Sequence, residues 1–253
     1  MAQHLSANDY ERSCTSFSLP AVVGALGPIV DGHDPRSMLD VGCGYGGIAA
    51  SLRQSLRVGE VHGVDIDEAV IAEARAKGVV ARRVDVGSSP LPYEDGSFDL
   101  LTCFGMLDYL PWYDIAVREF SRVLTARGLI AIALPNLASW HNRLGLLLGY
   151  QPRDVEFCSL QTVGLAPFYR SALPVGHLHT PTTRAFREFM ALMGFREERT
   201  VALRPKNNPA PLPFRALDAV IGRLPSASRR FLYIGRRTAA PPSPSEQGWW
   251  SPR

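Results

Sequence analysis

Glycine and aspartate residues between positions 40 and 65 stand at spacings that would build a nucleotide-binding site. Gly42, Gly44 and Gly47 satisfy the pattern GxGxxG between a predicted strand and a predicted helix, and Asp65 follows about 20 residues later. Glycines let the backbone turn tightly and approach a ligand closely, and an acidic side chain at this spacing accepts both hydroxyls of a ribose. The pattern therefore predicts a site for a ligand that contains a nucleoside.

Asp40 distinguishes between two ligands that both fit the glycine loop, NAD and S-adenosylmethionine (SAM). It stands two residues before Gly42, at the mouth of the loop, where NAD would place its pyrophosphate. A carboxylate close to phosphate charges is repelled by about 1 kcal/mol even in water, and by more at a lower dielectric constant. The same carboxylate attracts an ammonium or sulfonium group, so Asp40 favours SAM.

Further acidic residues follow the predicted strands. Asp65 ends the second strand, Asp85 follows the third, and Asp108 comes a few residues after the fourth. In open α/β sheets the ligand lies outside the carboxyl ends of the strands, so these carboxylates would line one crevice. A crevice of this kind favours a positively charged nucleoside, although Asp85 and Asp108 taken singly are also explained as ordinary loop residues.

The elements that must position these residues alternate between strand and helix from about residue 37 to residue 134. Apolar runs predict five strands, and helical spacing predicts the segments between them. Such alternation is typical of a parallel sheet with helices on both faces. The predicted strands are Ser37–Val41, Glu60–Asp65, Val79–Asp85, Phe98–Phe104 and Gly128–Leu134.

After Pro135 the alternation stops, and residues 136–180 are predicted to form a cap over the site. This cap segment contains one predicted helix, Ser139–Leu148, whose leucines with Trp140 are interpreted as core or as a dimer surface. Thr180 and Pro181 are predicted to begin a helix that runs to about Met193. Late strands are expected at residues 195–203 and 230–235.

The predicted organisation is an N-terminal helical segment (1–36), one domain (37–237) that includes the cap segment, and a disordered tail (238–253). The chain has 253 residues, of which 46% are hydrophobic and 20% charged, which argues against a mainly disordered, collagen-like or coiled-coil protein. No apolar run approaches the roughly 20 residues of a membrane helix, and the first residues lack the layout of a signal peptide.

The four cysteines, Cys14, Cys43, Cys103 and Cys158, are far apart and form no CxxC pair. They predict neither a zinc site nor redox chemistry, and the simplest expectation is a reduced, cytoplasmic protein without a metal. The charge is uneven, since from Leu203 onwards there are nine basic residues against two acidic ones. Such a stretch suits nucleic acid or an acidic partner, and it is also common on solvated surfaces.

In four segments the sequence resembles the class I SAM-dependent methyltransferases. The match is specific over about residues 37–136 and looser as far as the Gly-Phe pair at 194–195. It implies a Rossmann-like, doubly wound sheet of seven strands, mostly parallel with the last strand antiparallel. The matching segments are LDVGCGYGG (39–47), GVDID (63–67), VDVGSSPLPYEDGSFDLL (84–101) and ARGLIAIALPN (126–136).

The resemblance also assigns cofactor-binding residues. Asp40 and the loop that contains Gly42, Gly44 and Gly46 would hold the methionine part of SAM. Asp65 would bind the ribose hydroxyls, and Ile66 beside it is assigned to the cofactor as well. The remaining positions are Asp85 and Val86, which would flank the adenine, and Phe104, which would line the cofactor and open onto the acceptor site.

The catalytic groups cannot be carried over from the family. Many relatives have Glu-His after strand four, and some use that histidine as a general base, whereas this chain has Asp108 and Tyr109. Tyr109 is predicted to form a wall of the acceptor pocket. His177 and His179, which follow the cap segment, are candidates for a base or an orienting donor, or else for a helix cap or a solvated position. His141 is a further candidate for contact with the acceptor.

The predicted function is transfer of the methyl group of SAM to a small-molecule acceptor by in-line displacement, by a monomer or a homodimer. Two alternatives remain open: an NAD-dependent oxidoreductase on a similar fold, and a SAM-binding module without catalytic activity. The basic C-terminal stretch is the basis for a further alternative, a nucleic-acid methyltransferase. It is not expected, because the (D/N)PP(Y/F/W) tetrapeptide of amino-methylating enzymes is absent after strand four, and no membrane partner is expected either.

Overall fold

In the computed structural model, residues 19–31, 35–167, 174, 176–204 and 212–243 are described. They form one seven-stranded sheet with helices on both faces. The strands are β1 (Ser37–Val41), β2 (Glu60–Asp65), β3 (Val80–Arg83), β4 (Phe98–Phe104), β5 (Leu124–Pro135), β6 (Phe195–Leu203) and β7 (Arg230–Arg237). The helices are α1 (Leu19–Val30), α2 (Gly47–Leu56), α3 (Glu68–Ala76), α4 (Tyr113–Val123), α5 (Trp140–Leu147), α6 (Thr183–Leu192) and α7 (Leu212–Val220), with short 3₁₀ helices at Leu107–Tyr109 and Ile221–Arg223.

The order of strands in the sheet is β3-β2-β1-β4-β5-β7-β6. Strands β1 to β5 pair in parallel, and β7 runs antiparallel to both of its neighbours, β5 and β6. This arrangement confirms the predicted doubly wound sheet with an antiparallel last strand. Strand order reverses at β1, whose neighbours are β2 and β4, so the carboxyl end of β1 opens onto the crevice where ligands bind in such folds.

The centre of the sheet is buried on both faces, because β1, β4 and the second half of β5 are nearly continuous buried runs. On one face the core includes Leu26 of α1, Leu52 of α2 and Ile71 of α3. On the other face it includes Phe120 of α4 and Phe186 of α6. The two layers hold the strand ends in place, and this rigid edge carries the acidic residues of the predicted site.

Most element boundaries agree with the predictions. The bounds of β1, β2, β4 and β6 are those predicted, β3 is shorter, and β5 and β7 are longer. Strand β5 begins four residues early, because Leu124 already pairs with Phe98 before a bulge interrupts the ladder.

One prediction for the later part of the chain was wrong, and one helix was not predicted. Helix α6 is capped by Thr182, whose hydroxyl accepts the N–H of Ala185, while the hydroxyl of Thr180 donates to the carbonyl of Asp154 instead. Helix α7 was missed, because the proline-rich run before it is typical of a loop. Its own Pro213 lies in the first turn, where proline is tolerated.

The terminal predictions fall partly outside the described residues, namely on 1–18, 32–34 and 244–253. Within the N-terminal segment, α1 packs against α2. The predicted tail is ordered at its start, since Thr238 donates its backbone N–H and its hydroxyl to the carbonyl of Gly194, and Arg118 donates to the carbonyl of Pro242. Across the described part of the chain, no helix has the length and apolar character needed to cross a bilayer.

Candidate active site

The glycine loop after β1 adopts a backbone path that is unfavourable for other residues. Gly42, Gly44 and Gly46 have φ angles of 75°, 50° and 75°. A Cβ atom on Gly42 would lie 2.7 Å from Cβ of Met106, and one on Gly46 would lie 2.8 Å from Cα of Ala74. Both the torsion angles and the close packing therefore require glycine at these positions.

The carboxylate of Asp65, at the end of β2, fixes the loop from the other side. Its Oδ2 accepts the backbone N–H of Gly44 at 2.9 Å, and its Oδ1 accepts the N–H of Asp67 at 3.1 Å. The backbone N–H groups of Gly42 and Cys43 donate to the carbonyl of Val64 at 2.8 and 3.0 Å. The first two strand ends are thus joined into one preorganised turn.

Asp40 is buried beneath this turn, with 3% of its surface exposed. Its Oδ1 accepts a 2.6 Å hydrogen bond from the hydroxyl of Thr102 on the neighbouring β4. Burial raises the pKa of Asp40 to about 6; the Thr102 hydrogen bond opposes this shift, and the charge of Asp65 adds to it. At neutral pH the side chain is ionised and places a negative charge directly below the glycine loop.

A cavity of about 400 Å³ opens at the carboxyl ends of β1, β2, β3 and β4. This volume is within the range of small-molecule sites, roughly 300–1,000 Å³. Of the residues predicted from the sequence, Gly42, Asp65, Ile66, Asp85, Val86 and Tyr109 line it; the other lining residues are Val64, Val84, Gly87, Ser88, Met106, Leu110 and Pro111.

The wall of the cavity has a polar part and an apolar part. The carboxylate of Asp85 accepts the backbone N–H of Gly87 at 3.0 Å and the hydroxyl of Ser88 at 2.7 Å, which fixes the turn after β3. Ile66 is 58% exposed although it is apolar. An exposed aliphatic side chain at the rim of a cavity is suited to cover a flat apolar ligand group.

Met106, for which the sequence analysis gave no role, lines the cavity, and Phe104 does not. Phe104, assigned to the cofactor by resemblance, is half-buried and packs against the core on the α1–α3 face of the sheet. From the segment after β4, the cavity is lined instead by Met106, Tyr109, Leu110 and Pro111. Side chains alternate along β4, so the end of the strand turns Phe104 towards one layer, and the turn at Gly105 brings Met106 to the site.

The end of the cap segment is docked onto the 3₁₀ helix after β4. The backbone N–H groups of Leu178 and His179 donate to the carbonyl of Asp108 at 2.9 and 3.3 Å. The hydroxyl of Tyr113 donates to the carbonyl of His179 at 3.0 Å. These contacts bring residues that are distant in the sequence to the rim of the cavity.

Both candidate histidines lie beside residues of the cavity wall, and neither lines the cavity itself. The ring centroid of His177 is 5.1 Å from that of Tyr109, a lining residue, and its Nε2 is 2.9 Å from Oδ2 of the fully buried Asp108. His179 points its Nε2 at the carbonyl of Pro111, at 2.8 Å, and lies against the rings of Trp112 and Tyr113. The pair formed by Asp108 and His177 was not anticipated, since no local sequence pattern connects the two residues.

His141 is surrounded by packed side chains of neighbouring helices. It is buried in α5, stacked on Trp140 with ring centroids 3.8 Å apart, and its Nε2 lies 3.7 Å from Asp218 of α7. Burial and the nearby Arg229 lower the pKa of His141 to about 4, against the opposing influence of Asp218. His141 is not among the residues that line the cavity.

The described residues contain no group of three His, Cys, Asp or Glu side chains that could hold a metal ion. Cys43 and Cys103 are buried, and Cys158 is half-buried; all three are free thiols. Burial and nearby carboxylates raise the pKa of the thiols of Cys43 and Cys103, so both are neutral.

Comparison with protein families matches residues 39–132 to a family described as a methyltransferase domain. Demethylmenaquinone methyltransferase of Thermus thermophilus is 30% identical over 168 residues, which are 64% of this chain and 74% of that protein. Malonyl-acyl-carrier-protein O-methyltransferase of Halorhodospira halophila is 31% identical over 135 residues, 51% of this chain and 46% of that protein. The chain thus spans less than half the length of the second relative.

Among solved structures, magnesium protoporphyrin IX methyltransferase of Synechocystis PCC 6803, crystallised with bound SAH, is similar with a TM-score of 0.54. The two proteins share 17% identity, and the similarity covers 87% of this chain and 81% of that one. At this identity the likeness concerns the fold. Taken with the matched family and the relative from Thermus thermophilus, it leads to one conclusion: the chain belongs to the class I SAM-dependent methyltransferases.

Proposed function

We propose that this protein binds SAM in the cavity at the carboxyl ends of β1 to β4 and transfers its methyl group to a small-molecule acceptor. The observation that carries the proposal is the convergence of Gly42, Asp65 and Asp85, from three different strand ends, on one cavity of about 400 Å³. The glycine cradle and the fixed carboxylates fit a ligand that combines a nucleoside with a positively charged amino acid.

The residues that line the cavity, and those of the turn beside it, have separate proposed roles. Asp40 and the loop at Gly42, Gly44 and Gly46 hold the methionine part, because these three glycines have no side chains and a negative charge lies below the loop. Asp65 binds the ribose hydroxyls. Asp85 and Val86 flank the adenine, with Ile66 covering its face. Phe104 stays a prediction as a cofactor contact.

SAM supplies an electrophilic methyl group on a positively charged sulfur, and the leaving group needs no protonation. The task of the protein is to hold the acceptor in line with the bond that breaks and to exclude water, which accounts for several kcal/mol of the barrier in such reactions. The cap segment is suited to this task, because its end is fixed to the 3₁₀ helix that carries Tyr109. Tyr109, at the cavity wall and 42% exposed, is proposed to contact the acceptor.

The relatives support a small acceptor. Their names specify demethylmenaquinone, a malonyl group on acyl carrier protein and magnesium protoporphyrin IX. The acceptor site proposed here is bordered by Met106, Leu110 and Pro111, which are apolar. An acceptor with a hydrophobic body would suit this border.

The basic C-terminal stretch does not require a nucleic-acid partner. Arg236 is paired with Glu198 at 2.9 Å and donates to the carbonyl of Arg127, and Arg237 donates to the carbonyl of Leu124. These arginines hold β7 against its neighbours. We therefore keep the prediction that no nucleic acid is bound; salt-dependent binding of DNA or RNA would contradict it.

The predictions of a monomer or homodimer and of a cytoplasmic location are retained. At the end of α5, Leu146, Leu147 and Leu148 are exposed while Trp140 is buried, so the predicted leucine stripe is a surface feature that a second copy could cover. Free thiols at Cys43, Cys103 and Cys158 suit a reducing compartment.

The cofactor assignment is tested by measuring the melting temperature with SAM, SAH and NADH. A ligand at about 100 times its dissociation constant stabilises a protein by about 2.7 kcal/mol, which corresponds to roughly 5–10 °C here. We expect such a shift with SAM and SAH and none with NADH. A shift with NADH alone would favour the oxidoreductase alternative, and SAM binding without transfer to any acceptor would favour the non-catalytic one.

A further inference from the structure

Helix α7 is oriented in the opposite way from an ordinary surface helix. The one residue of α7 that is buried is the acidic Asp218. Its apolar side chains are exposed instead: Val220 is 70% exposed, and Leu212 and Leu217 are exposed as well. A helix that packs on a core normally buries its apolar side and exposes its charged residues. The reversed orientation leaves an apolar side of α7 that the described part of the chain does not cover.

Contacts to α5 hold α7 in this orientation. Nε1 of Trp140 donates to Oδ1 of Asp218 at 3.0 Å, and the ring of Phe214 stacks on that of Trp140 with the centroids 6.0 Å apart. The hydrogen bond satisfies a carboxylate whose burial would otherwise be costly. Because Phe214 and Asp218 are one helical turn apart, the two contacts together determine which side of α7 faces outwards.

The end of α5 exposes further apolar residues beside α7. Leu147 is 82% exposed. The guanidinium of Arg143, one turn earlier, donates to the carbonyl of Ser226 at 3.1 Å, so α5 lies next to the loop that follows α7. Exposed apolar residues that occur as a group mark interaction sites, whereas single ones need no explanation. We call this group the leucine face; it consists of Leu146, Leu147, Leu148, Leu212, Leu217 and Val220.

The exposed charges on the same elements are all positive. Arg143 lies on α5, Arg215 on α7 and Arg223 on the 3₁₀ helix that follows, and all three side chains are exposed. The one acidic residue of these three elements is the buried Asp218. Among the described residues no carboxylate forms an ion pair with any of the three arginines. Exposed leucines accompanied by unpaired arginines are typical of helices that lie at anionic membrane surfaces.

We propose that the leucine face docks this protein onto the surface of a bilayer that contains anionic lipids. The leucines would enter the boundary between headgroups and acyl chains, and the arginines would contact the lipid phosphates. From the sequence no membrane partner was expected, since no segment has the length to span a bilayer. A helix that lies in the interface needs no such length, so the proposal reverses that expectation.

The leucine face and the cavity lie at the same edge of the sheet. Helix α5 follows β5, whose last residue, Pro135, pairs with Arg230, and α7 precedes this first residue of β7. Both helices therefore lie at the carboxyl ends of the parallel strands, where the cavity opens. A docked protein would hold its cavity near the lipid surface, which suits the apolar border formed by Met106, Leu110 and Pro111.

A second copy of this chain fits the same face less well. In a symmetric dimer, a surface patch meets the identical patch of the other subunit. The arginines at 143, 215 and 223 would then be brought together with their own counterparts, and like charges at an interface oppose association. Anionic lipid headgroups supply the opposite charge that the leucine face lacks.

The first test is sedimentation of the full chain with lipid vesicles. One set of vesicles consists of phosphatidylcholine alone, and the other is an equimolar mixture of phosphatidylcholine and phosphatidylglycerol. We expect binding to the mixed vesicles to be about ten-fold or more tighter than to phosphatidylcholine alone. We also expect it to weaken as the salt concentration rises from about 0.1 M to about 0.5 M, because salt screens the contacts of the arginines.

Two substitutions test the apolar part of the leucine face. Leu147→Glu and Val220→Glu should each weaken binding to the mixed vesicles by about ten-fold or more, because apolar area is lost and a negative charge is added. Both side chains are exposed, so circular dichroism should show an unchanged fold. The matched control is Leu192→Glu, since Leu192 is 55% exposed at the end of α6, at the opposite edge of the sheet, and should change binding by less than about two-fold.

The double variant Arg215→Gln with Arg223→Gln tests the charged part. A basic residue near an anionic surface contributes about five-fold to binding, so we expect the double variant to bind the mixed vesicles about ten-fold or more weakly. On phosphatidylcholine alone it should behave like the wild type. Arg57→Gln, at the exposed end of α2, is the control and should change binding by less than about two-fold.

Three results would overturn the proposal. The first is a wild type that binds neither kind of vesicle, and the second is a loss of binding in Leu192→Glu as large as that in Leu147→Glu. The third is a wild-type dimer, measured by sedimentation equilibrium, that Leu147→Glu dissociates while no vesicle is bound, because the leucine face would then belong to a second copy. SAH affinity, measured in parallel, should be the same in all variants, so failure of the proposed function would leave this test unaffected.

Discussion

Among individual residues, Asp40 is held in a place that disfavours its charge. The folded protein raises its pKa from the ordinary 3.8 to about 6, chiefly through burial, so the folded state binds a proton more tightly than the unfolded chain does. The free energy of unfolding therefore decreases as the pH rises from about 4 to about 6, by on the order of 3 kcal/mol from this group. Above pH 6 Asp40 is charged, as its proposed contact with the amino group of SAM requires.

The variant Asp40→Asn separates the effect of the charge on stability from its effect on SAM binding. The amide oxygen can still accept the hydrogen bond from Thr102, while the charge is removed. At pH 8 we expect the melting temperature to rise by about 5 °C, because no buried charge remains. We expect SAM to bind about ten-fold to a hundred-fold more weakly, because a contact to a charged group is lost.

For Asp40→Asn, calorimetric titration at pH 8 measures the SAM affinity and thermal melting at pH 8 measures the melting temperature. Asp31→Asn, an exposed carboxyl at the end of α1, is the matched control and should change neither. A variant that loses stability and keeps its SAM affinity would show that Asp40 has a structural role and no role in binding.

At the scale of elements, the turn between β1 and α2 depends on glycine. Gly42→Ala combines a φ angle of 75° with a Cβ only 2.7 Å from Met106, so we expect a destabilisation of about 1–3 kcal/mol and loss of SAM binding. Gly24→Ala is the control, since its Cβ meets nothing within 4 Å inside α1, and it should stabilise the protein by about 0.5–1 kcal/mol. Chemical denaturation measures both; equal effects in the two variants would refute this account of the turn.

The junction between α5 and α7 makes the protein sensitive to acid. Nε1 of Trp140 donates to Oδ1 of Asp218 at 3.0 Å, and His141 stacks on Trp140. Because the folded state lowers the pKa of His141 from 6.5 to about 4, the neutral ring stabilises the fold above pH 6.5, and this contribution is lost as the pH falls towards 4.

His141→Phe keeps an aromatic ring on Trp140 and removes the titration. Between pH 6.5 and pH 4 we expect the variant to lose up to about 3 kcal/mol less of its unfolding free energy than the wild type does. Urea denaturation at several pH values measures the difference, in which the opposing contribution of Asp40 cancels. Parallel curves for the two proteins would contradict the assignment of acid sensitivity to His141.

For the whole molecule, local patterns were sufficient to predict the sheet. Strands β1 and β4 are short, mainly apolar runs followed directly by glycine, and β2 ends at Asp65, so their bounds could be predicted from local sequence. The first residue of α6 could not be predicted in this way. Thr180 and Thr182 are equally suitable helix caps, and tertiary contacts determine which of them is used. Helix α7 was missed because a proline-rich approach is typical of a loop.

The site could be predicted only as far as it depends on strand ends. Asp65 and Asp85 follow directly from the order of strands in a parallel sheet, and they line the cavity. The pairing of Asp108 with His177 depends on how the cap segment returns to β4, which no local pattern encodes. The position of Met106 at the cavity was predictable, since any residue just after the end of β4 is near the crevice.

The central claim, that SAM occupies the cavity at the carboxyl ends of β1 to β4, is tested most directly by calorimetric titration of SAH into three proteins. We predict binding to the wild type and to Asp67→Asn, in which the α3 cap is conserved, and at least hundred-fold weaker binding to Asp65→Ala with the fold retained by circular dichroism. Undiminished affinity in Asp65→Ala would contradict the account, because the ligand would then lie elsewhere.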